Sequence, residues 1–178
     1  MKTYVTYGFL VALGGALLNL VLFFLGFHSD VEKLSSAQWI GGCAGLAIGV
    51  TFTVLGTRVR RTEVPASEPF GYSRALGAAV MITLFAALFG ALFNFIYMQF
   101  INPGFQDVIM QAQASKLEAK GLSGAQLEQA EKMTRMFTGP LISSCFNFLG
   151  GMFFGTIISL IIAAFVRRPA TPAPVAAA

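Results

Sequence analysis

The chain has 178 residues, of which 56% are hydrophobic (AVILMFWYC) and only 11% are charged, with a formal net charge of +4. About 25% of the residues of an ordinary soluble domain are charged, so the composition excludes that class. The basic residues mostly flank apolar segments, which is typical of orientation signals in membrane proteins and argues against nucleic-acid binding.

Four segments carry no charged residue, and each supplies the roughly 20 residues that a helix needs to cross the hydrocarbon of a bilayer. They predict an all-α membrane protein that forms one transmembrane domain over residues 1–168. The predicted spans are about 3–27, 35–57, 75–101 and 138–166. A soluble helical bundle is the alternative, but each of its helices would show a polar face, and these segments show none.

Lys2 precedes the first span, as it would in a signal peptide. The apolar core is about twice as long as the apolar region of a signal peptide, however, and no clear A-x-A-like cleavage site follows it. We therefore expect span one to be retained as a helix.

Span two contains a ladder of small residues at four-residue spacing. Ser35 and Gln38 form a capping-box pattern that predicts where this helix begins. Gly41, Gly45 and Gly49 follow, and four-residue spacing places them on one helix face. Because small residues allow close backbone approach between membrane helices, we predict a helix-packing surface here.

Residues 102–137 follow span three and predict a helical hairpin outside the membrane. Asn102 and Pro103 have the pattern of an N-cap and a first helical residue. Apolar residues then recur at helical spacing on either side of Gly121. These stripes could face lipid head groups, a partner or the bundle itself, and we favour packing on the bundle.

Span four repeats the small-residue pattern with Gly151 and Gly155. Gly15-Ala16-Leu17-Leu18-Asn19 of span one likewise recurs as Gly90-Ala91-Leu92-Phe93-Asn94 of span three. We read the chain as a duplicated helical hairpin, which predicts equivalent roles for spans two and four; chance similarity is the alternative. The Pro/Ala-rich tail 169–178 is predicted to be disordered.

The basic residues predict the orientation. Four spans place both termini and the second link on one side. That side carries Lys2, Arg58, Arg60, Arg61, Arg74, Arg167 and Arg168; the other side carries Lys33, Lys116, Lys120, Lys132 and Arg135. Because cytoplasmic loops carry an excess of Lys and Arg next to the spans, we expect cytoplasmic termini and an extracytoplasmic hairpin.

The polar residues inside the predicted spans are Asn19, Asn94 and Asn147. They could line a polar path, but such residues more often form hydrogen bonds between helices. Cys43 and Cys145 also lie within spans at similar depth. A disulfide between them is conceivable, and buried free thiols are the simpler expectation.

Nothing in the sequence indicates catalysis, a cofactor or a metal site. No Asp, Glu, Lys, Arg or His lies inside a span, which weighs against an ion-coupled pump. The only histidine, His28, lies near Asp30 in a short link, where we expect a solvated surface residue. No nucleophile, zinc or phosphate-binding motif is present.

Several motifs carry a family resemblance. They are Gly71-Tyr72-Ser73, Asn102-Pro103-Gly104-Phe105, Gly121-Leu122-Ser123 with Gln126, Glu131-Lys132-Met133, and Gly150-Gly151-Met152-Phe153-Phe154-Gly155-Thr156-Ile157-Ile158-Ser159-Leu160-Ile161. From Phe70 onward the chain resembles a bacterial membrane family, domain of unknown function 4199. The resemblance implies a small four-helix protein of the bacterial cytoplasmic membrane. No activity is established for the family, so it transfers no functional residue.

We expect a non-enzymatic protein whose partner, besides the lipid bilayer, is a second copy of the chain or another membrane protein. Its glycine-lined helices would make that contact. The alternative is a passive channel or small-solute transporter whose polar path uses Asn19, Asn94 and Asn147.

Overall fold

The computed structural model describes residues 1–119, 121 and 124–169. The helices are α1 (Lys2–Phe24), α2 (Val31–Thr62), α3 (Tyr72–Ile96, continued by a π-helical turn, Tyr97–Ile101), α4 (Phe105–Ala119), α5 (Ala125–Thr138) and α6 (Pro140–Val166). α1, α2, α3 with its π turn, and α6 are long and apolar enough to cross a membrane. The prediction of an all-α membrane protein with four spanning helices is therefore confirmed.

Helix α2 begins earlier than the capping box at Ser35 predicted, and that prediction is wrong. Asp30 has an extended backbone (φ −124°, ψ 121°), and its carboxylate accepts a hydrogen bond from the backbone N–H of Glu32 at 2.9 Å. A carboxylate both caps free N–H groups and favours the positive end of the helix dipole. The helix therefore starts at Val31, one turn before Ser35.

The predicted N-cap at Asn102 is also wrong, because α4 begins at Phe105. The N–H of Asn102 instead closes the π turn on the carbonyl of Tyr97 at 2.7 Å. Its side-chain amide donates to the hydroxyl of Tyr97 at 3.0 Å. Asn102 thus ends one helix and fixes Tyr97 rather than starting the next helix.

Helix α3 lies at the centre of the bundle, in contact with α1, α2 and α6. Its crossing with α1 depends on Gly8, where an added Cβ would lie 2.9 Å from the backbone of Ala86 and of Ile82. On the other side, an added Cβ at Gly155 would overlap the methyl group of Thr83. Small residues therefore set both close approaches, as is usual between membrane helices.

One end of the bundle collects basic residues from distant parts of the chain. The guanidinium of Arg60 donates to the hydroxyl of Tyr4 at 2.9 Å, and that of Arg61 donates to the carbonyl of Val166 at 3.2 Å. Phe70 and Arg168 exchange two backbone hydrogen bonds. The N-terminus, the α2–α3 link and the end of α6 thus meet at this end.

Helices α4 and α5 pack differently. Ala112 of α4 is buried, and α4 contacts α2, whereas α5 buries none of its residues. The expectation that both stripes pack on the bundle therefore holds for α4, and α5 meets the bundle where Phe137 contacts Phe146 of α6. Residues 120, 122 and 123 and the predicted disordered tail after Pro169 lie outside the described residues.

Candidate functional site: a glycine-lined groove

A groove of about 260 Å³ separates α2 from α6 in the middle of the spans. Gly45 and Gly49 form its α2 wall, and Gly151 and Phe154 form part of its α6 wall. Side chains of α1 and α3 close its floor: Val11, Thr83, Ala86 and Ala87. We call the surface formed by Gly45, Gly49, Asn147, Gly151 and Phe154 the glycine groove.

The α2 wall of this groove is open. An added Cβ at Gly45 or at Gly49 would meet no other described atom within 4 Å. The third residue of this ladder, Gly41, lies closer to α1, where an added Cβ would stand 3.8 Å from a methyl group of Leu22. The two inner glycines therefore leave a hollow that no side chain of the described residues fills.

The glycines of the α6 wall pack against α3 of the same chain. An added Cβ at Gly151 would lie 3.3 Å from Cβ of Ala87, and Gly155 admits the Thr83 side chain. Thr83 and Ser159 also lie within hydrogen-bond distance, 3.2 Å between their hydroxyl oxygens. The ladder of span four thus packs on α3, whereas the ladder of span two faces the groove, so the two ladders differ in surroundings.

Two other residues of the groove project from it. Phe154 is 64% exposed, and Asn147 is also exposed although it lies two turns inside an apolar helix. A bulky aromatic side chain thus stands beside the hollow left by Gly45 and Gly49. The groove therefore offers a projection beside a depression, and a hydrogen-bonding amide about 10 Å away along α6.

The three intramembrane asparagines have three different surroundings. Asn94 donates to the hydroxyls of Ser143 (3.3 Å) and Ser144 (3.1 Å), which links α3 to α6. Asn147 lines the glycine groove. Asn19 lines a second cavity of about 370 Å³ between α1, α2 and α4, and no hydrogen-bond partner for its enclosed Oδ1 is found among the described residues.

His28 is buried, contrary to the expectation of a solvated residue. Only 6% of its surface is exposed, and its Nδ1 lies 2.6 Å from the hydroxyl of Tyr97. Its ring also packs on Phe105 with the centroids 4.8 Å apart. Burial lowers the pKa of the imidazole below its ordinary value. No pattern in the sequence indicates the π turn that brings Tyr97 to this position.

Cys43 and Cys145 are free thiols, as expected, but the expectation that they are buried is wrong, because both lie at exposed positions. Within the described residues, no three side chains of His, Cys, Asp or Glu come together as a metal site would require. Tyr97, Asn102 and His28 form a polar cluster between the α1–α2 link and the π turn. Among the described residues, the glycine groove is therefore the best candidate for a functional site.

Residues 6–168 match one protein family, described as protein of unknown function (DUF4199). The match spans nearly all of the chain, and the chain belongs to this family. No curated protein matches the chain, and no solved structure does.

Proposed function

We propose that this protein is a non-enzymatic membrane protein that assembles as a symmetric dimer of identical chains through the glycine groove. The observation that carries the proposal is the open hollow at Gly45 and Gly49 beside the exposed ring of Phe154. Small residues allow close packing between membrane helices, and an apolar ring can fill a hollow that such residues leave. This surface supplies both.

A two-fold dimer buries the same patch of both subunits, so the patch must complement itself. Two copies inserted in the same direction are related by an axis along the membrane normal, which keeps every residue at its own depth. Gly45 lies 14 residues after the start of α2, and Phe154 lies 14 residues after the start of α6, which supports similar depths for the ring and the hollow. Phe154 of each chain therefore enters the hollow of the other.

Asn147 supports the same contact. An exposed amide in a span loses its hydrogen bonds to water, and a helix of a partner chain can replace them. Such interhelical hydrogen bonds stabilise association by about 0.6 to 2 kcal/mol. A passive channel along all three asparagines has less support, because Asn94 is engaged by two serines and Asn19 lines another cavity.

We place the dimer in the bacterial cytoplasmic membrane with both termini in the cytoplasm. The support is the basic end of the bundle, where Arg60 and Arg61 bind residues near the two chain ends. The test is labelling of intact cells with an impermeant maleimide, in a chain whose native cysteines are replaced by serine. Lys116→Cys should react, and Arg58→Cys should react only after lysis. The reverse pattern would invert this orientation.

The assembly test replaces Gly45 and Gly49 by Leu. Both added side chains enter open space in the single chain, so helicity and melting should persist while the partner's Phe154 is excluded. Gly150→Leu is the matched control, because an added Cβ there also meets nothing and Gly150 does not line the groove. Mass photometry in lipid nanodiscs should find dimers for wild type and the control, and single chains for the double variant. Dimers that persist in the double variant would refute the proposal.

A further inference from the structure

Helix α5 exposes three large apolar side chains near its C-terminal end. Met133 is 54% exposed, Met136 is 63% exposed and Phe137 is 48% exposed. No residue of α5 is buried. We call these three residues the α5 strip. In water such a patch would expose apolar area without compensation.

The α5 strip lies at the level of an apolar span. The rings of Phe137 and Phe146 are 5.9 Å apart. Nine residues of one straight helix would separate their backbones by about 13 Å at 1.5 Å per residue. Gly139 instead has an extended backbone (φ −59°, ψ 148°) that breaks the helix. The end of α5 therefore folds beside the first two turns of α6.

The surface next to the α5 strip is the outward face of α6. Leu141, Phe146 and Leu149 are all exposed there, on a helix long and apolar enough to cross a membrane. The contact between Phe137 and Phe146 makes the α5 strip continuous with that face. The medium around the outward face of α6, which is lipid for a spanning helix, therefore also surrounds the α5 strip.

The charges of α5 lie away from the α5 strip. Glu128, Lys132 and Arg135 are exposed, and Lys132 pairs with Glu128 at 2.9 Å. Since successive helix residues turn by about 100°, Arg135 points roughly opposite to Phe137. The four charged residues of α5, which are these three and Glu131, sum to zero. A surface helix of this kind needs no anionic lipid to bind.

We propose that α5 lies in the membrane–water interface and that the α5 strip is covered by lipid of the bilayer. The continuity with α6 assigns lipid rather than a protein partner as the occupant. The neutral charge balance makes this contact independent of the head-group charge. Helix α5 would then hold the extramembrane part of the chain flat against the bilayer.

The test uses single tryptophans in a chain that carries Trp39→Phe. Phe137→Trp places the indole on the α5 strip, and Arg135→Trp places it two residues away on the opposite side. Each purified full-length variant is reconstituted in phosphatidylcholine vesicles with or without brominated acyl chains. A second pair of vesicles contains phosphatidylglycerol. Both sites are exposed, so circular dichroism should report the same helicity for both variants.

We expect Phe137→Trp to lose most of its fluorescence to brominated lipid and Arg135→Trp to keep most of its fluorescence. The loss should be the same with and without phosphatidylglycerol. Equal quenching of the two variants would overturn the proposal, because the α5 strip would then have no preference for lipid. Quenching that needs the anionic lipid would overturn it as well. Neither outcome depends on the dimer.

Discussion

The Nδ1 atom of His28 lies 2.6 Å from the hydroxyl of Tyr97, which is 69 residues away in the chain. The same hydroxyl accepts a hydrogen bond from the amide of Asn102 at 3.0 Å. Burial lowers the pKa of the imidazole and so favours its neutral form, whose tautomer decides which of the two groups donates. This contact joins the α1–α2 link to the π turn after α3.

Replacing Tyr97 by Phe should destabilise the protein by about 1 to 3 kcal/mol, because it removes the hydrogen-bond partner of the buried Nδ1 of His28. Unfolding by SDS in mixed micelles measures this free energy. Tyr72→Phe is the control, since the hydroxyl of Tyr72 makes one exposed bond of 3.3 Å to the carbonyl of Leu160. Equal effects of the two changes would contradict the role of the His28 contact.

Stability should fall in mild acid because of His28. Burial lowers the pKa of His28 in the folded protein, so the unfolded chain binds more protons than the folded chain near and below pH 6.5. The free energy of unfolding should therefore decrease as the pH drops through about 6.5. Nearby Asp30 caps α2 and forms an ion pair with Lys33 at 3.4 Å.

The matched variant for this pH effect is His28→Gln, which cannot titrate. Melting temperatures from pH 8 to pH 5 should decline less steeply for the variant than for wild type. Parallel curves would show that another group causes the acid effect.

Gly8→Ala should destabilise the bundle by about 1 to 3 kcal/mol through overpacking, because the new methyl group meets the backbone of α3. Gly15→Ala is the matched control in the same helix, where an added Cβ meets nothing within 4 Å. Since Ala favours a helix more than Gly does, the control should be neutral or slightly stabilising. SDS unfolding of both variants measures the difference. A neutral Gly8→Ala would place the α1–α3 crossing farther apart than described.

Asn94→Leu should affect the stability of the single chain, whereas Asn147→Leu should affect dimer formation. Asn94 links α3 to α6 within the chain, so its loss should lower the stability of the single chain by about 0.6 to 2 kcal/mol. Asn147→Leu should leave the single chain as stable as wild type and weaken the dimer. Unfolding measurements and dimer fractions in nanodiscs, taken on the same samples, test this split. Loss of single-chain stability in Asn147→Leu would show that its amide acts within the chain.

The spanning helices could be predicted from sequence because absence of charge over about 20 residues is a local property. The predicted starts of α2 and α4 are wrong, since several residues near each end can cap and the capping pattern alone does not decide among them. Asp30 displaced Ser35, and the bond to Tyr97 removed Asn102 from capping.

Only part of the candidate site could be predicted from the sequence. The spacing of Gly45 and Gly49 indicated a packing face, but only the arrangement of α2 and α6 leaves that face open. The role of Gly8 and the burial of His28 depend on neighbours far away in the chain. The duplicated hairpin and the extracytoplasmic location of the α4–α5 region stay predictions.

The most direct test of the dimer joins two different chains by a disulfide. Both chains lack the native cysteines; one carries Gly49→Cys and a first tag, and the other carries Phe154→Cys and a second tag. Since each chain has one thiol, only a contact between chains can form the bond. A chain with Leu17→Cys, exposed on α1 and outside the groove, replaces the Phe154→Cys chain as the control.

On mild oxidation in native membranes, the account predicts a two-tag product for the Gly49→Cys and Phe154→Cys pair and little product for the control pair. A two-tag product that is absent, or that is equal for both pairs, would contradict a dimer formed through the glycine groove.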